Sequence, residues 1–457
     1  MRKYLLGIFI LISSYSFTQT SVEGNQSGTW TADNSPYLVI GQLTIPSGQT
    51  LIIEAGVEVN FQAYYKFTVN GNLQALGTEN DSIVFTTDDQ NTAWGGIRFN
   101  SSNGISNMNY CRIEFGKTSG EYPDIHGGAI ALLSSDAIFS YCTFADNDAT
   151  GEDNGMGGAV YGINTGSPTK FINCRFIRNH AYGEGGAVKF TSDLGTEFIE
   201  CRFFNNDCNY GGGAISLYSV IGTKMTYCLF VDNYTMYSNG GAIHTLGAGN
   251  TLSLENCTLS GNHANYGDGG GVNLAYANAT FVNCIIRDNN GGYSDNIYLD
   301  FGGAAQINYC NTPMPDGATG SNNINVNPLF QDPNNNNYQL QETSPCIDAG
   351  TDIGYEFMGT APDMGCYEFD MPTSTSELNL EDGLAYPNPA YDVLNVQNID
   401  NVKDIEILDI TGKIILQQAV SKTLNTELNI SQLRKGIYFL RVISSDNQSR
   451  VQRFIKL

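Results

Sequence analysis

Between residues 127 and 272 one tetrapeptide returns six times: Gly127-Gly128-Ala129-Ile130, Gly157-Gly158-Ala159-Val160, Gly185-Gly186-Ala187-Val188, Gly212-Gly213-Ala214-Ile215, Gly240-Gly241-Ala242-Ile243 and Gly269-Gly270-Gly271-Val272. Between copies stands a second phrase, an apolar residue followed three places later by Asn: Phe144/Asn147, Phe176/Asn179, Phe203/Asn206, Phe230/Asn233, Leu259/Asn262 and Ile286/Asn289. Two residues before each of those apolar positions is a cysteine, at 142, 174, 201, 228, 257 and 284, and Cys111 and Cys310 extend the row. Successive cysteines are 31, 32, 27, 27, 29, 27 and 26 residues apart. A period of this size marks a solenoid or an array, because one such unit cannot bury its own apolar side and must stack on its neighbours.

The units are built of strands. Runs such as Ala187 to Thr191 and Thr196 to Phe204 alternate and are rich in β-branched and aromatic residues, with Gly, Asn and Asp at the joints. Stacking coil on coil at about 4.8 Å predicts an all-β chain, a right-handed parallel β-helix in which Cys, Phe and Asn each form an internal row. Each Asn amide can bond the next while it turns the chain, and Gly-Gly fits a corner where a Cβ would collide. The stacked thiols are expected to stay reduced, because Cβ atoms about 4.8 Å apart lie beyond the reach of a disulfide. Their predicted role is that of small buried fillers.

Charge is unevenly spread. The chain of 457 residues carries -24 overall; residues 1–22 and 384–457 each hold +2, so the body between them holds -28. No Lys or Arg occurs between Arg287 and Lys403. Such a body repels nucleic acid and other polyanions, so no nucleic-acid partner is expected.

At the N-terminus Arg2 and Lys3 precede an apolar run from Leu5 to Ile12 and small residues at Ser16 and Thr18. Residues 1–18 therefore read as a secretory signal peptide cleaved between Thr18 and Gln19. Residues 19–99 read as the cap and first coils, since a solenoid needs its first open edge covered; Trp94-Gly95-Gly96-Ile97 looks like the first full corner. The repeats then fill 100–326. Residues 327–370 break the rhythm and read as the closing segment, 371–383 as a polar linker around Pro372-Thr373-Ser374-Thr375-Ser376, and 384–457 as a small Ig-like β-sandwich with strands near Val393–Val396, Ile405–Asp409, Lys413–Gln417, Thr426–Ile430, Gly436–Val442 and Gln452–Leu457.

Three resemblances attach to these segments. The central repeats resemble those of the chlamydial polymorphic outer-membrane proteins, with their GGA[ILV] and FxxN motifs, and this implies a surface-displayed adhesive β-helix on a pectate lyase-like fold. Ser344-Pro345-Cys346-Ile347-Asp348-Ala349-Gly350 and Pro362-Asp363-Met364-Gly365-Cys366-Tyr367-Glu368 resemble the closing segment of secreted bacterial β-helices. As an exported protein meets oxidising conditions, a Cys346–Cys366 disulfide is expected, with Cys208, placed in a turn off the ladder, left free. Tyr386-Pro387-Asn388-Pro389, Asp409-Ile410-Thr411-Gly412-Lys413, Leu433-Arg434-Lys435-Gly436-Ile437-Tyr438 and Arg453-Phe454-Ile455-Lys456-Leu457 resemble the type A C-terminal sorting domain of type IX secretion. That resemblance implies a Gram-negative, Bacteroidota-type cell, the type IX machinery as partner, passage to the extracellular side, and attachment to surface lipopolysaccharide after sorting.

Chemistry can be sought in the register. The residues flanking the ladder Asn place Asp146, Asp148, Arg178, His180 and Asp207 on three adjacent coils, where two carboxylates beside a His or an Arg could perform acid–base work. The competing reading is a solvated corner with turn-forming Asp. Just before the Gly-Gly corners runs a second row, Tyr182, Tyr210, Tyr237 and Tyr266, with Tyr122 and Met156 nearby. Exposed tyrosines at coil spacing can stack on sugar rings or anchor a protein partner, or simply stiffen loops. No zinc spacing, phosphate-cradling loop or nucleophilic triad is present, and four scattered histidines make weak metal ligands. No cofactor is expected, save calcium if the chain were a lyase. The sequence thus points to an adhesin-like module for glycan or protein, with a polysaccharide lyase or glycosidase on the same scaffold as the alternative.

Overall fold

The computed structural model describes residues 19–369, apart from 103, 152–153, 166–168 and 293, and in the C-terminal region 385–386, 390–397, 402–409, 413–419, 425–444 and 449–456. The expected leader, with Thr18 on one side of its cleavage site, and the linker 371–383 lie outside the described residues; Gln19 is the first residue within them. Among the described residues no helix is long and apolar enough to cross a membrane. The chain divides into two compact units, the first ending at Phe369 and the second beginning at Asp370.

The first unit is a parallel β-solenoid of about 10 turns. One coil gives the plan. After the corner Gly127-Gly128 come strands Ile130–Leu133, Ala137–Ser140, Thr143–Ala145 and the two-residue Asp148–Ala149. Each lies in parallel register on the same strand of the next coil, Ile130 on Val160, Ile138 on Lys170, Phe144 on Phe176 and Asp148 on His180. We call these four stacks the Gly-Gly face, the third face, the FxxN face and the seam. Near the N-terminus the long strand Tyr37–Ile45 serves two faces at once, pairing first with Glu58–Phe61 and then with Phe67–Val69.

The corners explain the motifs. Gly212 sits at φ +70°, and a Cβ on Gly213 would lie 2.3 Å from the Gly241 carbonyl oxygen of the next coil. The residue before each ladder Asn is also left-handed, with φ of 55° at Asp146, 50° at Arg178, 52° at Asn205, 52° at Asp232 and 58° at Asp288. Asp and Asn tolerate that conformation because their short polar side chains can bond locally.

Inside, the expected rows are present. Asn147, Asn179, Asn206, Asn233, Asn262 and Asn289 are buried, and each amide Nδ2 from Asn147 to Asn262 donates to the Oδ1 of the next at 2.8–3.0 Å. Phe144, Phe176, Phe203 and Phe230 stack with ring centroids 4.5–4.9 Å apart. A second aromatic row, Phe139, Phe171 and Phe198, lines the third face and meets the first edge-on. Fully burying each such ring contributes about 1.5–3 kcal/mol. The cysteines lie alongside; the Cys201 and Cys228 thiols donate to Phe171 and Phe198 carbonyls at 3.3 Å. Burial pushes the Cys174 and Cys201 thiols well up.

Three particulars differ from these expectations or extend them. Cys346 and Cys366 are not bonded to each other in the structure, in which all eleven cysteines are free and buried. Cys346 instead accepts a hydrogen bond from the Asn311 amide at 3.1 Å, while the Cys366 backbone N–H donates to Thr258 Oγ1 at 3.0 Å. Cys208 is free as expected but is not in a turn; it pairs in the seam between Ala181 and Thr235, and burial pushes its thiol to about 11. Finally, the segment after residue 327 does more than close the last coil. It contains one hairpin, Phe330–Asp332 with Asn337–Leu340, and lays Phe330, Tyr338, Leu340, Met364 and Cys366 over Leu229, Val231 and Ile285, which point outward from the FxxN face. Outward apolar residues on those coils demand a cover, and this strap supplies it.

The second unit is antiparallel. A three-stranded sheet joins Ala385–Tyr386, Val393–Gln397 and Asn425–Asn429, and a four-stranded sheet has the order Ile414–Ala419, Val402–Leu408, Gly436–Ser444, Ser449–Lys456. Leu394, Val396 and Leu428 of the first share one buried core with Ile405, Ile407, Leu440, Val442 and Phe454 of the second. This matches the predicted sandwich. Of its sequence motifs, Pro387 to Pro389, Ile410 to Gly412 and Leu457 lie outside the described residues.

Candidate functional site

The seam is where the sequence placed its candidate acid–base residues. Its strands carry one outward residue per coil, and register sets Asp148, His180, Asp207, Tyr234 and His263 in a row, with Lys117 and Asn290 bridging on at the ends. Asp146 and Arg178 belong to the neighbouring corner, on the other side of the inward-facing Asn row. The five candidates therefore separate into two groups.

At the corner, Arg178 Nε and Nη2 donate to Asp146 Oδ1 and Oδ2 at 2.8 and 2.7 Å, a two-pronged pair in the open. That bond to Asp146 holds the Arg178 guanidinium above its ordinary value. In the seam, His180 Nδ1 lies 2.6 Å from Asp207 Oδ2, and the hydrogen bond to Asp207 raises the imidazole above its usual value. Lys117 Nζ stands 3.4 Å from Asp148 Oδ2. Each of these groups thus has a hydrogen-bonding or oppositely charged partner on the adjacent coil. Such pairing suits a stacked row, since like charges one strand apart repel. Among the described residues no group of three or more His, Cys, Asp or Glu is placed to hold a metal ion.

The tyrosine row is better formed. Ring centroids of Tyr182 and Tyr210, Tyr210 and Tyr237, and Tyr237 and Tyr266 are 6.1, 6.0 and 6.0 Å apart, and the last pair is parallel to within 8°. Exposure rises along it, from 44% at Tyr210 through 56% at Tyr237 to 74% at Tyr266. The loops beneath are tied coil to coil through their backbones, Tyr210 N–H to Gly183 O at 3.0 Å, Tyr237 N–H to Asn209 O at 2.8 Å and Tyr266 N–H to Met236 O at 3.1 Å. The row is a rigid, ridged aromatic surface.

Under the same loops lies a polar row that sequence reasoning missed. The residue following each Gly-Gly tetrapeptide points away from the core, giving Tyr161, Lys189, Ser216, His244 and Asn273 in register. All five are nonetheless buried. Lys189 pairs with Glu184 from the overlying loop and donates to Ser216 Oγ at 3.1 Å, while Ser216 Oγ donates to Glu184 at 2.8 Å. Burial alone would push Glu184 up, but the Lys189 ammonium carries it below its ordinary value. Burial lowers both His126, which stacks on Tyr161 at 4.4 Å, and His244 to about 4, so both are neutral at neutral pH. The signal was in the sequence, a polar residue after every corner from Tyr161 on, but alternation alone assigns such residues to solvent.

A parallel solenoid of about 10 turns followed by antiparallel sheets defines a class, that of the β-helix repeat proteins. This chain's route is given by the tail. Residues 384–457 match the family model described as the secretion system C-terminal sorting domain. The tail is thus a type IX sorting domain, a client of that secretion machinery, and it directs export to the cell surface or extracellular space of a Bacteroidota-type bacterium. No curated protein and no solved structure matches the chain.

Proposed function

We propose that the protein is a surface-delivered binding module, adhesin-like, whose tyrosine ridge captures an extracellular glycan or protein. The observation that carries this reading is the row Tyr182, Tyr210, Tyr237 and Tyr266, rigid in backbone and increasingly exposed. Exposed Tyr offers a large contact area at small conformational cost. Attachment to surface lipopolysaccharide after sorting would display the ridge on the cell. A second reading, cleavage of a glycan on the same scaffold, has the His180–Asp207 pair in its favour, as an imidazole held by a carboxylate is a usable general base.

One experiment separates the two. Full-length secreted protein is applied to glycan arrays and to surface extracts, and the same glycans are assayed for new reducing or unsaturated ends. The binding reading expects retention without new ends, weakened at least about tenfold by Tyr237→Ala with Tyr266→Ala. New ends that disappear with His180→Ala would replace it with the enzyme.

A further inference from the structure

On the third face, beginning one coil beyond Asp207, the outer surface is hollowed into a groove of about 450 Å³. Its floor crosses successive coils through Lys224, Ser253, Thr280 and Gln306, which lie in one register row, with Thr319 bridged to Gln306 beyond them and Asn278 beside Thr280. Four inter-strand steps of about 4.8 Å make it about 19 Å long, the length of a short oligosaccharide rather than of a single sugar. The volume falls in the range of small-molecule sites, about 300–1,000 Å³.

We infer that this groove is a binding site for an uncharged oligosaccharide lying along the column axis, distinct from the tyrosine ridge. Two features of the lining select that ligand. First, its polar groups are hydroxyls and primary amides, which both donate and accept, as sugar hydroxyls require. Thr280 Oγ1 donates to Ser253 Oγ at 3.1 Å and Ser253 Oγ donates on to Glu255 Oε1 at 3.4 Å, so both hydroxyl oxygens retain acceptor capacity. Second, the one charged lining residue among those described is neutralised: Lys224 Nζ lies 2.9 Å from Glu255 Oε2, which also accepts from the Tyr355 hydroxyl at 2.7 Å. With no spare positive charge in a strongly negative body, an acidic glycan has nothing to hold it.

The rim supplies what the floor lacks. Tyr276 immediately precedes the strand that carries Asn278 and Thr280, and Phe301 stands three residues before Ala304 at the start of the next. Their rings stack 5.2 Å apart, parallel within 10°, and remain 48% and 63% exposed. Ile221, 55% exposed, holds the same edge next to Gly222. An exposed aromatic pair beside a neutral hydroxyl-and-amide trough offers a sugar a face for its C–H groups and partners for its hydroxyls.

The test uses the full secreted chain and calorimetric titration with cellohexaose, laminarihexaose, maltohexaose, xylohexaose and mannohexaose, with an oligogalacturonate as the acidic comparison. At least one neutral hexasaccharide is expected to bind, and Tyr276→Ala with Phe301→Ala, or separately Asn278→Ala with Gln306→Ala, is expected to weaken it at least about tenfold. All four side chains are exposed, and an unchanged thermal melt confirms that each variant is folded. Binding that Tyr237→Ala with Tyr266→Ala abolishes and that both groove variants leave intact belongs to the ridge and overturns the inference, so the groove and the ridge succeed or fail separately. The inference is overturned if no neutral hexasaccharide binds at millimolar concentration, if both groove variants bind as well as the parent, or if the oligogalacturonate binds as tightly as the neutral sugars.

Discussion

At the scale of single residues, His180 shows how far a solenoid's outer rows are tuned by what lies one coil away. Its imidazole is about two-fifths exposed and gains its partner only because register places Asp207 beneath it. The folded protein therefore binds the His180 proton more tightly than the unfolded chain, whose imidazole titrates near 6.5. The sign follows: the stabilisation is fully present below about pH 6.5 and is lost as pH rises through the elevated folded value. An exposed pair of this kind contributes under about 1 kcal/mol. Following the His180 ring signals by NMR across pH should give a midpoint above that of a free imidazole, and Asp207→Asn should bring it back down; an unchanged midpoint in the variant would remove Asp207 as the cause. The same locality explains which site residues could be read from sequence. That Asp146, Asp148, Arg178, His180 and Asp207 fall on three adjacent coils followed from counting along the repeat. That they split into a corner pair and a seam row, each bonded within itself, depends on side-chain direction, which a repeat count does not carry.

At the scale of the repeated element, the Asn row ties each coil to the next through buried side-chain hydrogen bonds. Asn206 Oδ1 accepts from the Asn179 backbone and amide at 3.0 and 2.9 Å, and its own amide donates to Phe176 O and Asn233 Oδ1 at 2.9 Å. Asn206→Ala would strand groups on both neighbouring coils with no water at hand, at about 1–3 kcal/mol for each group left unsatisfied. A loss of about 3–5 kcal/mol is expected in denaturant unfolding, with amide exchange accelerating first at Asn179. A loss below about 1 kcal/mol would mean that the row is ornamental and the aromatic stacks alone hold the coils. This element was legible because every coil repeats the same chemistry at the same offset. The strap after residue 327 and the buried row from Tyr161 to Asn273 were not. The strap occurs once, so no period announces it, and its outward partners Leu229, Val231 and Ile285 read as ordinary alternation breaks. The polar row alternates as a solvent-facing row should, and only the irregular loops bearing Glu184 and Gly211 close over it; a Cβ on Gly211 would lie 2.7 Å from His244 Nδ1.

At the scale of the whole molecule, two units with separate cores divide the work. The solenoid core runs from Val22 to Cys310, and the sandwich core from Ala385 to Phe454 shares no residue with it. Charge divides in the same way, -28 between residues 23 and 383 against +2 in the tail. A body so negative gains solubility from its charge and resists adsorption to like-charged surfaces, so delivery to an anionic cell surface falls to a dedicated address rather than to general attraction. The address should therefore be necessary and portable. Removing residues 384–457 in a type IX-competent host is expected to leave most of the chain in the periplasm, still folded, because every residue of the solenoid core lies before that segment; limited proteolysis of the retained protein checks that point. Fusing 371–457 to an unrelated periplasmic reporter is expected to carry the reporter to the surface or the medium. Recovery of the truncated chain outside the cell at the parent level would show that the solenoid contains its own export signal, and the division of labour between the two units would then have to be abandoned.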